Sequence, residues 1–220
     1  MKMPSPRRNI SQRSELLYDI HNWSICLDTR EIFVCNNDDE INSESASSFI
    51  KNMRVLNNIS HDPILIHMMI GGGSFTSGFA MYDAIKASES DTVVLSYVSE
   101  SMSSVIPQAA TWRVVMPSVE YLVHYGQYHT SDNYSSVVAS IDSHKKSIAR
   151  MIDLYVDRMC EGQFCKRERW TKEQLRAWLT DLLDKKQELF LRAHEVVDMG
   201  LADGVLGEEG YETIAGLREE

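Results

Sequence analysis

No apolar run in this sequence approaches the ~20 residues that a membrane-spanning helix needs. The basic N-terminus, Met1–Asn9 (MKMPSPRRN), is followed by no apolar h-region, so a secretory signal is not expected. Lysine and arginine are scarce: 22 stand against 32 aspartates and glutamates, a net charge of −10. That balance weighs against general binding to nucleic acid or to an anionic membrane. There are only four cysteines, at 26, 35, 160 and 165. Cys26 and Cys35 lie in apolar, strand-like surroundings and read as buried thiols. Cys160 and Cys165 flank Glu-Gly-Gln-Phe, and no second Cys/His pair at metal spacing accompanies them, so a loop thiol pair is expected rather than a metal site. A reducing cytoplasm is the default compartment, and no cofactor is called for.

What remains is a soluble globular balance, 43% hydrophobic and 25% charged, in 220 residues, enough for one domain with a sizeable core. The chain is organised around residues 64–102. An apolar run, Pro63–Ile70, is followed at once by Gly71-Gly72-Gly73-Ser74. An amphipathic stretch, Thr76–Ala87, and a second apolar run, Thr92–Val98, lead into Ser99-Glu100-Ser101-Met102. The pattern predicts strand, glycine turn, helix, strand, turn, helix. Three glycines let the backbone turn sharply and bring bare N–H groups close to a ligand, whether phosphate or the oxyanion of an acyl-transfer intermediate. They lack the Lys-Ser/Thr ending of a P-loop and do not match GxGxxG, so a structural tight turn competes with either role. Ser101 falls where the second strand should give way to a helix, and His124 ends another apolar run, Val119–Val123. A candidate nucleophile and a candidate base thus come at the ends of neighbouring strands.

Elsewhere, Glu31–Cys35 reads as a strand and Ser43–Asn57 as a helix whose apolar face carries Ala46, Phe49, Ile50, Met53 and Leu56. Ser101–Ala110 reads as a helix, Arg113–Val115 and Val119–His124 as two short strands divided by Pro117, and Ser135–Met159 as a long helix with Val138, Ile141, Ile148, Ile152 and Tyr155 on one face. A further helix carries Trp170, Leu175, Trp178, Leu179 and Leu182. Glu188–Leu191 reads as a short strand, followed by a helix to Met199 with Gly200 past its end. Met1–Arg13 is expected to be a mobile arm, and the acidic tail after Gly207 to fray.

Four ordered motifs resemble the Clp protease proteolytic subunit family, the ClpP-type serine peptidases. Residues 70–83, IGGGSFTSGFAMYD, are similar to its SPGGSVTAGxAIYD. Ser99-Glu100-Ser101-Met102 is similar to its AASM nucleophile turn, residues 116–124, MPSVEYLVH, to LPNAxxMIH, and residues 190–203, FLRAHEVVDMGLAD, to FLSAxEAxEYGLID. The resemblance covers roughly residues 31–205. It implies an α/β ClpP/crotonase-like fold of stacked βαβ units with a projecting long handle helix. The division it implies is 1–30 as N-terminal arm and first segment, 31–134 as head domain, 135–187 as handle with an elaborated insertion, and 188–220 as return to the head with the acidic tail.

The same resemblance implies Ser101 as nucleophile, His124 as base, and the backbone N–H groups of Gly72 and Met102 as oxyanion donors. Counting back from Gly200-Leu201-Ala202-Asp203, the family's catalytic acid falls on Glu188, with Asp184 as runner-up. The activity implied is that of a serine endopeptidase cutting unfolded polypeptides through an acyl-enzyme. It would act inside an oligomeric chamber of heptameric rings paired into a tetradecamer and served by an AAA+ ATP-dependent unfoldase. Three departures matter. Gly71 replaces a proline, Glu100 replaces a small residue, and Cys160–Asp184 is about fifteen residues longer than the family usually has there. Gly71 and Glu100, with a glutamate at 188 as the acid, favour the alternative of a ClpP-like structural subunit with impaired catalysis. Behind it stands a crotonase-like acyl-CoA enzyme, which shares the fold and the paired N–H oxyanion hole but has the Ser101/His124 pair and the helix at Ser135–Met159 against it. At single residues the bland alternatives are a helix N-cap for Ser101, a satisfied core residue for His67 and a solvated loop residue for His129.

Overall fold

The computed structural model describes residues 10–35 and 39–218, with side chains from Ser14 onward. Most of the arm expected over Met1–Arg13 lies outside the described residues, but its end does not: a helix, α1, runs over Ile10–Trp23. Seven strands form one sheet: β1 (Ile25–Cys26), β2 (Glu31–Val34), β3 (Ile64–Met68), β4 (Thr92–Glu100), β5 (Trp112–His124), β6 (Glu188–Leu191) and β7 (Gly204–Val205). The order is β1-β2-β3-β4-β5-β6, with β7 pairing with β5. The central pairs β2·β3, β3·β4 and β4·β5 are parallel, while β1 and β6 run antiparallel at the edges. Every residue of β3 is buried, as expected of a strand covered on both faces.

One helix joins β2 to β3 and another joins β3 to β4. In α2 (Ser43–Ile59), Asn42 and Ser45 form a reciprocal cap at the N-terminus. Ala46, Phe49, Met53 and Leu56 are buried as the periodicity requires, but Ile50 is exposed and does not belong to that face. At the far end the buried Arg30 donates to the carbonyls of Leu56, Ser60 and Asp62, placing a cation on the helix's unsatisfied C-terminal end. The second helix, α3, spans Phe75–Lys86.

Further expectations are corrected. The helix expected over Ser101–Ala110 is a single α turn, α4 (Met102–Val105), continued by a 3₁₀ turn over Ile106–Ala109; Pro107 cannot supply the N–H that an α-helix needs there. The two strands expected around Pro117 are one strand, β5, with an irregularity. Val115 faces Ser96, but Glu120 faces Val98, so the extra residues around Pro117 bulge out where no ladder donor is required. Cys35 is exposed, whereas Cys26 is buried.

Helix α5 (Tyr134–Met159) is buried only in its second half, through Met151, Ile152, Tyr155, Val156 and Met159. Val138 and Ile141, expected on the same covered face, are exposed, and so is Tyr134. The stretch expected as an elaboration folds into α6 (Gln163–Glu168) and α7 (Lys172–Lys186). Helix α7 runs back along α5, buries Leu175, Leu179 and Leu183, and forms ion pairs from Arg176 to Asp153 and from Lys172 to Asp157. Phe164, Trp170 and Trp178 cluster beside it with ring centroids 5.1–5.5 Å apart. Helix α8 (Ala193–Asp198) follows β6, with Gly200 at positive φ just beyond it.

The tail after Gly207 is not frayed through residue 218. Leu206, Tyr211 and Leu217 pack on the sheet face formed by Leu65, Val93, Leu95 and Val114. Arg218 reaches the Thr29 carbonyl and the Glu31 carboxylate.

Candidate active site

The glycine turn after β3 approaches the turn after β4, and the sequence leaves space for nothing larger. A Cβ on Gly72 would lie 2.4 Å from Ser101 Cβ and 2.8 Å from its Oγ. Gly73 has φ 150 and closes against Ile41, where a Cβ would meet backbone at 2.3 Å. The Gly72 carbonyl accepts from Ile41 N–H at 2.8 Å. Gly71, which stands where the related motif has proline, donates its N–H to Asp39 Oδ1 at 3.2 Å. A proline could not make that bond, so the turn is held by a contact of its own.

Ser101 ends β4 at φ 55, ψ −124, a conformation that costs an L-residue about 1–3 kcal/mol unless its surroundings enforce it. The surroundings are a set of buried hydrogen bonds. Ser101 N–H donates to the Leu122 carbonyl at 2.9 Å. The Ser103 hydroxyl donates to the Glu100 carbonyl and accepts from the Glu100 N–H, both at 2.8 Å. The Ser99 hydroxyl donates to the Ser103 carbonyl at 3.1 Å. Ser104 Oγ lies 2.7 Å from the Ser101 carbonyl and 2.6 Å from Tyr155 Oη. Ser99, Ser103 and Ser104 are thus fully buried structural ties. Ser101 is the half-buried serine of the turn, and it makes no side-chain capping bond, which removes the N-cap explanation. Behind the turn, Gln108 binds the Ser104 and Leu201 carbonyls and Tyr121 Oη, and accepts from Arg113. Arg113 in turn is clamped by Asp203 at 2.5 and 3.0 Å.

His124 ends β5 beside this turn. Its side chain is 20% exposed. Nε2 is buried without a partner among the described residues, while Nδ1 faces Glu188 Oε1 at 4.0 Å. That separation is an ion-pair contact and too long for a hydrogen bond. It follows from topology: β5 and β6 are antiparallel and His124 stands directly opposite Glu188. Burial lowers the pKa of His124 below the ordinary imidazole value, and the Glu188 and Glu100 carboxylates partly offset it. The neutral, proton-accepting form is therefore favoured at neutral pH.

Gly72, Glu100, Ser101 and His124 line one cleft of about 880 Å³. Met102, first residue of α4, has an N–H with no helical acceptor. The four residues expected to act together around an acyl group are thus adjacent to, or line, one cavity, with Glu188 on the far side of the histidine. Asp184 accepts from Tyr125 Oη at 3.0 Å, and burial, then Asp184, pushes that phenol up to about 12. His67 is a satisfied core residue, between Glu31 at 3.2 Å and Tyr97 at 3.3 Å. His129 is exposed and lines the cleft. Sequence reasoning passed over His144 of α5, which also lines the cleft and stacks on Tyr128 at 4.5 Å. Helical spacing from Ile141 and Ile148 could have placed it near the same face. Cys160 and Cys165 are free thiols in contact, and burial raises the Cys160 pKa.

Comparison with known proteins agrees with the geometry. The chain is 28% identical over 188 residues to the ATP-dependent Clp protease proteolytic subunit 1 of Chlamydia muridarum, covering 82% of this chain and 88% of that one. It is 25% identical over 193 residues to proteolytic subunit 2 of Pseudomonas aeruginosa, covering 86% and 87%. Its fold is similar to that of a mutant ClpP1 from Listeria monocytogenes, with a TM-score of 0.64 at 22% identity over 87% of this chain and 96% of the other. The sequence model of the Clp protease family matches residues 12–209, and the chain belongs to that family.

Proposed function

We propose that this chain is a serine endopeptidase with Ser101 as nucleophile and His124 as base. One observation carries the reading: Ser101, with no side-chain cap bond to make, sits in a strained turn against Gly72 and shares a cleft with a histidine whose Nε2 is buried and has no partner among the described residues. His124 Nε2 takes the hydroxyl proton as Oγ attacks a peptide carbonyl. The Gly72 and Met102 N–H groups receive the resulting oxyanion. The imidazolium then protonates the leaving amine, leaving an acyl-Ser101. Water, deprotonated by the same nitrogen, releases the acid and restores the serine. Glu188 holds His124 by charge rather than by a formed hydrogen bond.

Family membership supports the wider picture. The substrates would be unfolded polypeptides, the assembly heptameric rings paired into a tetradecamer, and the partner an AAA+ ATP-dependent unfoldase in the cytoplasm. The exposed Tyr134, Val138 and Ile141 on the outer half of α5 are suited to contact between copies. The division into arm (1–30), head (31–134), handle (135–187) and return with tail (188–220) completes the reading. A catalytically impaired scaffold is favoured by the 4.0 Å gap at a 51%-exposed Glu188 and by the Glu100 carboxylate beside the nucleophile. A fluorophosphonate probe decides between the two. Labelling at Ser101 that vanishes in Ser101→Ala and His124→Ala supports the peptidase, and no labelling of the folded, assembled protein supports the scaffold.

A further inference from the structure

We propose that Glu100 makes this cleft select substrates with a cationic side chain beside the scissile bond. The inference rests on the endopeptidase reading and names its substrate class.

Glu100 directly precedes Ser101, so its Cα lies about 3.8 Å from that of the nucleophile, and both residues line the cleft. Its position is fixed. The Ser103 hydroxyl binds its N–H and its carbonyl at 2.8 Å each, and it is in register with Leu122. Its carboxylate has no hydrogen-bond or ion-pair partner among the described residues; the charge it acts on is His124. The wall around it offers no countercharge. Among the described residues the cleft is lined by Glu40 and Glu100 and by His124, His129 and His144, with no lysine or arginine. Glu188 adds negative charge behind His124.

The chemistry gives this arrangement a direction. Attack on the peptide carbonyl puts negative charge beside a fixed carboxylate, which opposes it. A substrate ammonium or guanidinium placed next to Glu100 neutralises the carboxylate as the oxyanion forms, so its benefit is greater in the transition state than in the bound substrate. Lysine and arginine also carry apolar stems, for which the cleft supplies aromatic surface at Phe75 and Tyr128. An acidic side chain there would meet only repulsion.

The test uses three fluorogenic peptide sets, identical except for lysine, methionine or glutamate at each position flanking the cleaved bond, with a neutral fluorophosphonate as reference. At one flanking position the assembled protein should cleave the lysine peptide about fivefold faster than the methionine peptide in kcat/KM, and the glutamate peptide slowest, as expected for one partly solvated ion pair. Glu100→Gln should bring lysine and methionine level while Ser101 still reacts with the neutral probe, and Glu100→Lys should reverse the order. Thermal melting confirms that each variant is folded. Equal rates for lysine and glutamate peptides, or a preference unchanged in Glu100→Gln, overturns the inference while probe labelling keeps the peptidase reading intact. Failure of the neutral probe to label Ser101 overturns both.

Discussion

The two sides of His124 are built differently. On the side of the nucleophile, Ser99, Ser103, Ser104, Tyr121, Tyr155 and Gln108 are nearly solvent-free and bound to one another or to the backbone. On the side of the acid, Glu188 is 51% exposed and stops 4.0 Å short of the ring, on a four-residue edge strand with one buried side chain. The first region can hold Ser101 in a backbone conformation it would not adopt alone. The second can only bias a ring that is otherwise placed by β5. The proposed chemistry therefore depends mainly on the rigid half, and substitutions should divide accordingly.

The largest effect expected is at the centre of the rigid half. Ser101→Ala or His124→Ala should lower peptidase activity by about 10⁴-fold or more with little change in melting temperature, since neither side chain makes a hydrogen bond that supports the fold. Peptide turnover beside thermal melting checks this, and residual activity above one hundredth would move the nucleophile elsewhere. Gly72→Ala comes next. Its Cβ would press on Ser101 at 2.4 Å, so the serine or the N–H beside it must move, and activity should fall by about 10²–10³-fold, the usual cost of losing one oxyanion donor.

Gln108→Leu tests whether the network, rather than the serine alone, maintains the site. It strips partners from Arg113, Tyr121 and the Ser104 and Leu201 carbonyls, all of them buried. Unsatisfied buried polar groups should cost about 2–4 kcal/mol of stability, read by denaturant unfolding. Serine labelling should slow more than the fraction of folded protein does.

The contrast also explains what was legible in the sequence. The central strands, α2 and the nucleophile turn announce themselves, because buried β3, the glycines and Ser101 are constrained by contacts only certain residue types satisfy. Local pattern fails where contacts are distant or the face is bare. Helix α1 leaves most of its described side chains outside the core, including Leu17 and Trp23, so it carries little amphipathic contrast. The tail contains nothing that predicts its return, because Arg218 finds its partner at Thr29, 189 positions away. Val138 and Ile141 lie on a face whose pattern says only that it is buried against something, and the single chain leaves them uncovered. Glu188 as the acid comes only from counting back from a motif, and no local feature of Gln187–Leu191 points to a catalytic acid there.

The smaller effects belong to the acid side, and they sharpen the comparison most. Protonated His124 cannot accept the serine proton, so activity is lost as pH falls through its pKa. Burial places that limb below the ordinary imidazole value. Glu188→Gln removes a carboxylate that holds the pKa up, so the limb should move to still lower pH while the plateau rate falls by only about tenfold, far short of the loss when a fully hydrogen-bonded acid is replaced. Asp184→Asn should leave both the limb and the plateau within about twofold of the starting protein, because that carboxylate is engaged by Tyr125 at 3.0 Å. The pH profile of Ser101 labelling separates the two variants. If Asp184→Asn moved the limb and Glu188→Gln did not, the acid would belong to α7, and the edge strand would be only the support that brings the chain back to the sheet.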